Sequence, residues 1–326
     1  MEKDKIWGTA DSEAASGSPE WRLLEKIVLA SVTEQRRARR WSIFFKLLFV
    51  SCFLLVISLM GKNGLQSRVG ISKDHTGVID VRGEIADSGD ASAQNIIQGL
   101  RDASASVHCK AIILRINSPG GSPVQADLVY HEILRLRHLH PDRKIYAVIT
   151  DVGASGAYYI ASAAEDIYVN PASIVGSIGV IMESFGFPEL LHKVGVERRV
   201  LTAGTHKAIG DPFSPQNADD LTYIHNMLEQ VHEQFISAVR TGRGSRLHET
   251  PDIFSGLFWT GAQALKLGLA DGFNSDAGVA REIVHAEDLV NYTHQDSPWD
   301  NAARKLGVYL LGGVMQSLSA QGVHLD

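Results

Sequence analysis

The sequence predicts an α/β protein built on a mainly parallel sheet. Short apolar runs at 77–81, 111–116 and 144–150 alternate with helical patterns at 95–105 and 123–138. Strands of that length separated by helices of 10–15 residues imply βαβ units. Glycine-containing turns follow directly on two of the runs, where ligands bind in parallel sheets, at the carboxyl ends of the strands.

Each element has its local signal. Gly77-Val78-Ile79-Asp80-Val81 reads as a strand, and Asn95 opens a helix that runs to Ala105. Ala111-Ile112-Ile113-Leu114-Arg115-Ile116 reads as a buried strand. The segment from Pro123 to His138 reads as a helix, with apolar positions at Val124, Leu128, Ile133, Leu134 and Leu136. Lys144 to Thr150 is a further strand.

A chain of 326 residues can bury the core of one large or two modest domains. Its 44% hydrophobic and 21% charged residues are those of an ordinary globular protein. A formal net charge of -6 and the lack of a basic-aromatic stripe argue against a nucleic-acid partner. Two cysteines, Cys52 and Cys109, support neither a disulfide framework nor a Cys-based zinc site. His131-Glu132 lacks the second histidine of the zinc-protease helix motif, because Arg135 stands there, so neither a metal nor another cofactor is expected.

Residues 41–60, WSIFFKLLFVSCFLLVISLM, read as a membrane span. Twenty helical residues cover roughly 30 Å, one hydrocarbon thickness. The single charge, Lys46, is near enough to one end to snorkel. Arg36, Arg37, Arg39 and Arg40 precede the run, and only Lys62 and Arg68 follow it closely, which places the N-terminus in the cytoplasm. A cleaved signal peptide is the alternative, weakened by the long leader and the absence of a small-x-small cleavage site. A buried core helix is weaker still, given the arginine cluster and the Gly-Lys-Asn-Gly turn on its flanks. The expected organisation is a cytoplasmic tail at 1–40 (with a helix at 21–31), a transmembrane helix at 41–61 and a linker at 62–75. A catalytic domain at 76–280 and a partly helical extension at 281–326 follow.

The chemistry concentrates around Ser155, in Asp151-Val152-Gly153-Ala154-Ser155-Gly156-Ala157-Tyr158-Tyr159. A strand ends, a serine beside glycine follows, and a helix of small residues begins. Free N–H groups at a helix start favour developing negative charge, as an acyl-transfer nucleophile requires. A serine that merely caps a buried helix fits the same pattern. Asn117-Ser118-Pro119-Gly120-Gly121-Ser122 follows another strand. Its glycines expose N–H groups for an oxyanion or for an extended peptide, with the N–H of Gly156 as the second donor. A plain strand-to-helix turn is the alternative.

None of the thirteen histidines lies in a triad context. Lys207, in Gly204-Thr205-His206-Lys207-Ala208-Ile209-Gly210, is the better candidate base, since small and apolar neighbours could bury its amine. Lowering a lysine pKa from about 10.4 to about 7–8 requires roughly 3–4 kcal/mol of desolvation. From residue types alone, a solvated loop lysine is the plainer assignment.

Five segments in order resemble the signal peptide peptidase A family, the S49 serine peptidases of the ClpP/crotonase superfamily. They are Asn117 to Gly121, Ala154 to Ala161, Gly176-Ser177-Ile178-Gly179-Val180, Gly204 to Lys207, and Gly261 to Asp271. The resemblance spans about residues 76–275 and implies a ClpP/crotonase-like fold, with Ser155 as nucleophile and Lys207 as general base. It implies that Ser177 hydrogen-bonds the lysine amine, and that the N–H groups of Gly156 and of the Gly120-Gly121 turn form the oxyanion hole. It further implies a ring-shaped homo-oligomer with sites shared between protomers, released signal peptides as substrates, and a single-pass protein of the bacterial inner membrane with its catalytic domain outside the cytoplasm. One set of motifs with one apolar span matches the short form of the family. His206 beside the lysine and the loosely matching region around Arg243 depart from the pattern.

Two other functions fit parts of this pattern. A non-catalytic, membrane-anchored scaffold of the same fold would bind peptides or proteins. An acyl-CoA enzyme of the superfamily is disfavoured by the apolar span and by a serine and lysine at peptidase positions. Residues 301–318 carry a helical apolar pattern suited to docking on the chain's own domain, on a neighbour or on a membrane.

Overall fold

The structure, a computed structural model, describes Lys26, residues 39–54 and residues 73–294. It divides into two compact units, Met1–Ile71 and Ser72–Asp326. In the first unit residues 39–54 form helix α1, exposed along its whole length. Trp41, Phe44 and Phe45 make mutual ring contacts on it. The rest of the expected span, 55–61, lies outside the described residues, and among those described no helix is long and apolar enough to cross a membrane. Lys26 alone represents the helix expected at 21–31, and the segment 301–318 lies outside the described residues.

The second unit begins with β1 (His75–Arg82), α2 (Ala93–Ala105), β2 (Cys109–Ser118), α3 (Pro123–Leu139), β3 (Ile145–Ala154) and α4 (Gly156–Ser162). It continues with β4 (Ile167–Val169), β5 (Ile174–Gly176), α5 (Pro188–Lys193), α6 (Ala218–Arg243), β6 (Phe258–Thr260), α7 (Gly261–Lys266) and β7 (Gly272–Phe273). A turn α8 (Asp276–Gly278), a π-helical turn at Val279–Val284 and β8 (Leu289–Asn291) complete it. The sheet has eight strands, with β6-β5-β3-β2-β1-β8 along its main path and β4 and β7 branching from β3. All pairings are parallel except that of β5 with β6.

The continuous apolar runs follow from burial on both faces of this sheet. On β2, Ile112, Leu114 and Ile116 join the main core, shared with α2, α3, α4 and the end of α6, whereas Ala111 and Ile113 join a second cluster with Tyr146, Val148, Val279 and Ala280. Ser92 and Ser122 cap α2 and α3, and Pro123 at the first turn of α3 costs no hydrogen bond.

Three features of the packing depend on residues distant in the chain. The buried face of α3 is Ala126, Val129, Tyr130, Ile133 and Leu136, while Val124 and Leu128 are 66% and 49% exposed. Val124, the second residue of α3, instead borders a cavity beside Ser155. β3 runs on to Ala154 because it changes partners: Ala147–Ile149 pair with β4, and Val152–Ala154 pair with β5. The sheet also gains β8 on β1, past the expected domain end at 280.

Helix α4 is clamped from beneath. The Tyr158 hydroxyl donates to the Leu269 carbonyl at 2.8 Å. Arg243, 1% exposed, reaches both carboxylate oxygens of Asp271 at 2.8 Å and the Gly268 carbonyl at 2.8 Å. Burial works against the Asp271 carboxylate, but Arg243 outweighs it and holds the pKa below the usual range. The loosely matching Arg243 region and the Gly261–Asp271 segment are thus the support under the helix that Ser155 begins.

Candidate active site

Ser155 joins β3 to α4 with φ 53° and ψ -127°. A non-glycine residue in this region costs on the order of 1–3 kcal/mol, so the surrounding bonds must impose the conformation. They do so from both sides: the Ser155 N–H donates to the Gly176 carbonyl at 2.8 Å, and its own carbonyl accepts the Tyr159 N–H at 3.0 Å. The hydroxyl makes no capping bond and no other hydrogen bond among the described residues, so the helix-capping alternative does not describe it. Burial of the rest of the turn leaves Ser155 itself half-exposed at the cavity.

The turn at 117–122 is drawn against Ser155 by a short parallel bridge. The Ile85 N–H donates to the Gly120 carbonyl, and the Ser122 N–H donates to the Ile85 carbonyl, both at 2.8 Å. A Cβ on Gly120 (φ 103°) would lie 2.7 Å from the Ser155 Cβ and 2.8 Å from the Gly156 nitrogen, so only glycine fits. The two glycines differ in their donors. The Gly120 N–H is engaged by the Ser118 hydroxyl oxygen at 3.1 Å. The Gly121 nitrogen faces Gly156, lying 3.4 Å from where a Cβ on that residue would be. Gly120 thus supplies the close approach to Ser155, and the backbone nitrogen of Gly121 lies beside Gly156.

Ser177 stands one residue past Gly176, next to the pairing of Ala154 with Gly176. Its φ of 52° nearly equals that of Ser155, and its N–H donates to the Leu257 carbonyl at 2.8 Å. Strands β3 and β5 thus bring the two serines together.

Lys207 departs from expectation. It is exposed in a turn closed by its own N–H to the Gly204 carbonyl at 3.2 Å, and it does not line the Ser155 cavity. Of the neighbours expected to bury it, Thr205, His206 and Ala208 are exposed and Ile209 is half-buried, and residues 179–234 contribute no buried residue to the chain's core. Ile181, Phe185 and Leu201 are 73%, 78% and 99% exposed. His206 is turned to Asp220 on α6, its Nδ1 2.5 Å from a carboxylate oxygen.

The cavity beside Ser155 has a volume of about 250 Å³. Pro123, Val124, Val180, Ile181, Val231 and Phe235 give it apolar walls, and Asp127 and Tyr159 give it a polar end. Burial, followed by the bond to Asp127, raises the Tyr159 hydroxyl above its ordinary pKa. The sequence offered no signal for the parts played by Asp127, Val231 and Phe235, which come from α3 and α6 and meet Ser155 only in the fold.

The family model for peptidase family S49 matches residues 138–289, which include Ser155, Ser177 and Lys207. A Na(+)/H(+) antiporter NhaA of Brucella melitensis is 50% identical over 173 residues, which are 53% of this chain and 23% of that protein. The chain thus spans less than a quarter of that relative's length. The chloroplastic serine protease SPPA of Arabidopsis thaliana is 28% identical over 71% of this chain and 34% of its own length. The Synechocystis protein slr0021, named as a candidate protease, is 32% identical over 61% of this chain and 69% of its own length. With a mainly parallel α/β fold, five motifs in order and these matches, the chain belongs to peptidase family S49 and is SppA-like.

Proposed function

We propose that this chain is a membrane-anchored serine endopeptidase that degrades released signal peptides and similar apolar peptides, with Ser155 and Lys207 as its dyad. The observation that carries the proposal is the strained, uncapped Ser155 hydroxyl beside two glycine N–H groups. In this reaction Ser155 Oγ attacks the peptide carbonyl and Lys207 Nζ takes its proton. The oxyanion is held by the N–H groups of Gly156 and Gly121, and the lysine proton passes to the leaving amine. Water, deprotonated by the same lysine, then releases the acyl group. Ser177 orients the amine.

Lys207 reaches the serine of a neighbouring protomer in a ring. Its exposure on a segment that buries nothing in its own chain, amid exposed apolar side chains, supports that arrangement. The arginine cluster ahead of an apolar run, helical over 39–54, supports a single-pass anchor in the bacterial inner membrane with the peptidase unit outside the cytoplasm. An active site tethered there meets apolar peptides as they leave the bilayer.

That no lysine, arginine or histidine among the described residues lines the Ser155 cavity favours a second function, the non-catalytic scaffold. The full chain in detergent separates the two. Hydrolysis of an apolar peptide ester that is lost in Ser155→Ala, with labelling of Ser155 by a serine-reactive phosphonate, is the outcome expected of a peptidase. No turnover and no labelling would leave the scaffold.

A further inference from the structure

We propose that the cavity beside Ser155 accepts a lysine or arginine side chain from the residue before the cut, with Asp127 as its counter-ion. The inference rests on the peptidase function above and narrows its substrate class.

The cavity lining is amphipathic. It joins Ser155 to the apolar side chains of Val124, Val180 and Phe235 and to Asp127 on α3 and Tyr159 on α4, one turn after the serine. The Asp127 carboxylate is 44% exposed. The Tyr159 hydroxyl donates to Asp127 Oδ1 at 2.9 Å, and His131 Nε2 lies 3.3 Å from the same oxygen. Oδ2 has no partner among the described residues. Because a carboxylate only accepts, the tyrosine oxygen keeps its lone pairs for an incoming N–H.

The cavity opens past these residues into a wider groove of about 980 Å³ between α3 and α6. The two share Asp127, Tyr159 and Gln234, and the groove adds Glu229 and Glu233. Among the described residues no lysine or arginine lines either space, and His131, which faces Asp127, is charged only when protonated. A purely apolar substrate side chain would desolvate Asp127 without giving its Oδ2 a partner. Lysine and arginine match both parts, since their aliphatic stems pack on apolar walls while their tips seek a carboxylate. Signal peptides carry such residues in their positively charged n-region, so the proposed substrates contain the recognised group.

The test uses the full chain in detergent with peptide esters that differ only at the residue before the cut: leucine, glutamine, lysine, arginine and glutamate. The expected result is kcat/KM for lysine and arginine at or above that for leucine and well above that for glutamine and glutamate. In Asp127→Asn, which keeps an acceptor for Tyr159, the lysine-to-glutamine ratio should fall about tenfold or more. In Tyr159→Phe, which keeps the carboxylate, the ratio should fall by less than in Asp127→Asn and stay above one. Raising the salt concentration should lower the same ratio in the unaltered protein, a reading that does not depend on how a variant folds. A ratio that is below one, or insensitive to both Asp127→Asn and salt, while leucine ester is turned over and Ser155 is labelled, overturns this inference alone. No turnover of any ester together with no labelling of Ser155 overturns the peptidase function and this inference with it.

Discussion

The N–H of Ser155 donates to the carbonyl of Gly176 across 2.8 Å, and this bond ties the end of β3 to the end of β5. It holds Ser155 at φ 53° and brings Ser177, at φ 52°, beside it. The strain at Ser155 is therefore sustained by the sheet, and the hydroxyl remains unbonded at the cavity instead of capping α4.

The close approach of the 117–122 turn makes Gly120→Ala costly. A methyl group there would lie 2.7 Å from the Ser155 Cβ at a backbone φ of 103°. The variant should lose about 2–4 kcal/mol of stability, read by denaturant unfolding. Its kcat should fall on the order of 100-fold, as the donor geometry shifts. An unchanged midpoint with full turnover would show that the turn has room to spare.

Lys207→Ala should behave in the opposite way. The side chain is exposed and buries nothing in its own chain, so unfolding should shift by no more than about 0.5 kcal/mol. Turnover should drop on the order of 10²- to 10⁴-fold, the range of a lost general base. His206 is held by Asp220, so His206→Ala should have the smaller kinetic effect. The reverse order of the two variants would make the histidine the base.

Subunit mixing tests where the lysine acts. Ser155→Ala and Lys207→Ala chains, each inactive alone, should recover part of the activity once exchanged into common oligomers. Some interfaces would then carry an intact serine opposite an intact lysine. Mixed oligomers with exchanged subunits and no turnover would mean that each chain completes its own site.

The acid limb of stability should depend on Glu132. This residue, 7% exposed on α3, accepts from Arg135 at 2.6 and 2.8 Å and from Arg101 at 2.8 Å. The Arg135 hydrogen bond, against the opposing effect of burial and aided by Arg101, lowers its pKa from 4.5 to about 2. A folded-state pKa below the unfolded one stabilises at pH values above about 4.5, and that contribution disappears as pH falls towards about 2. Glu132→Gln should be less stable than the unaltered chain at neutral pH and should lose less stability between those two values. Parallel pH profiles of unfolding for the two proteins would assign the acid sensitivity elsewhere.

What the sequence determined by itself was local. Apolar runs such as 111–116 specify strands buried on both faces, because continuous β-branched and aliphatic residues satisfy a parallel sheet and little else. Ser92, Ser122 and Pro123 start helices through bonds made within a few residues. The Ser155 turn and the Gly120-Gly121 turn were likewise visible as strand ends followed by small residues. Tertiary structure decided whatever depends on partners distant in the chain. It turned Val124 to the cavity and Ala126 and Val129 to the core, extended β3 by exchanging β4 for β5, and engaged the Gly120 N–H while leaving Gly121 facing Gly156. It brought Asp127 and Phe235 to the serine from α3 and α6, and it left Lys207 on the surface. The physical reason is that periodicity and capping are properties of neighbouring residues, whereas the burial of a lysine or the shape of a cavity is set by whatever packs against it.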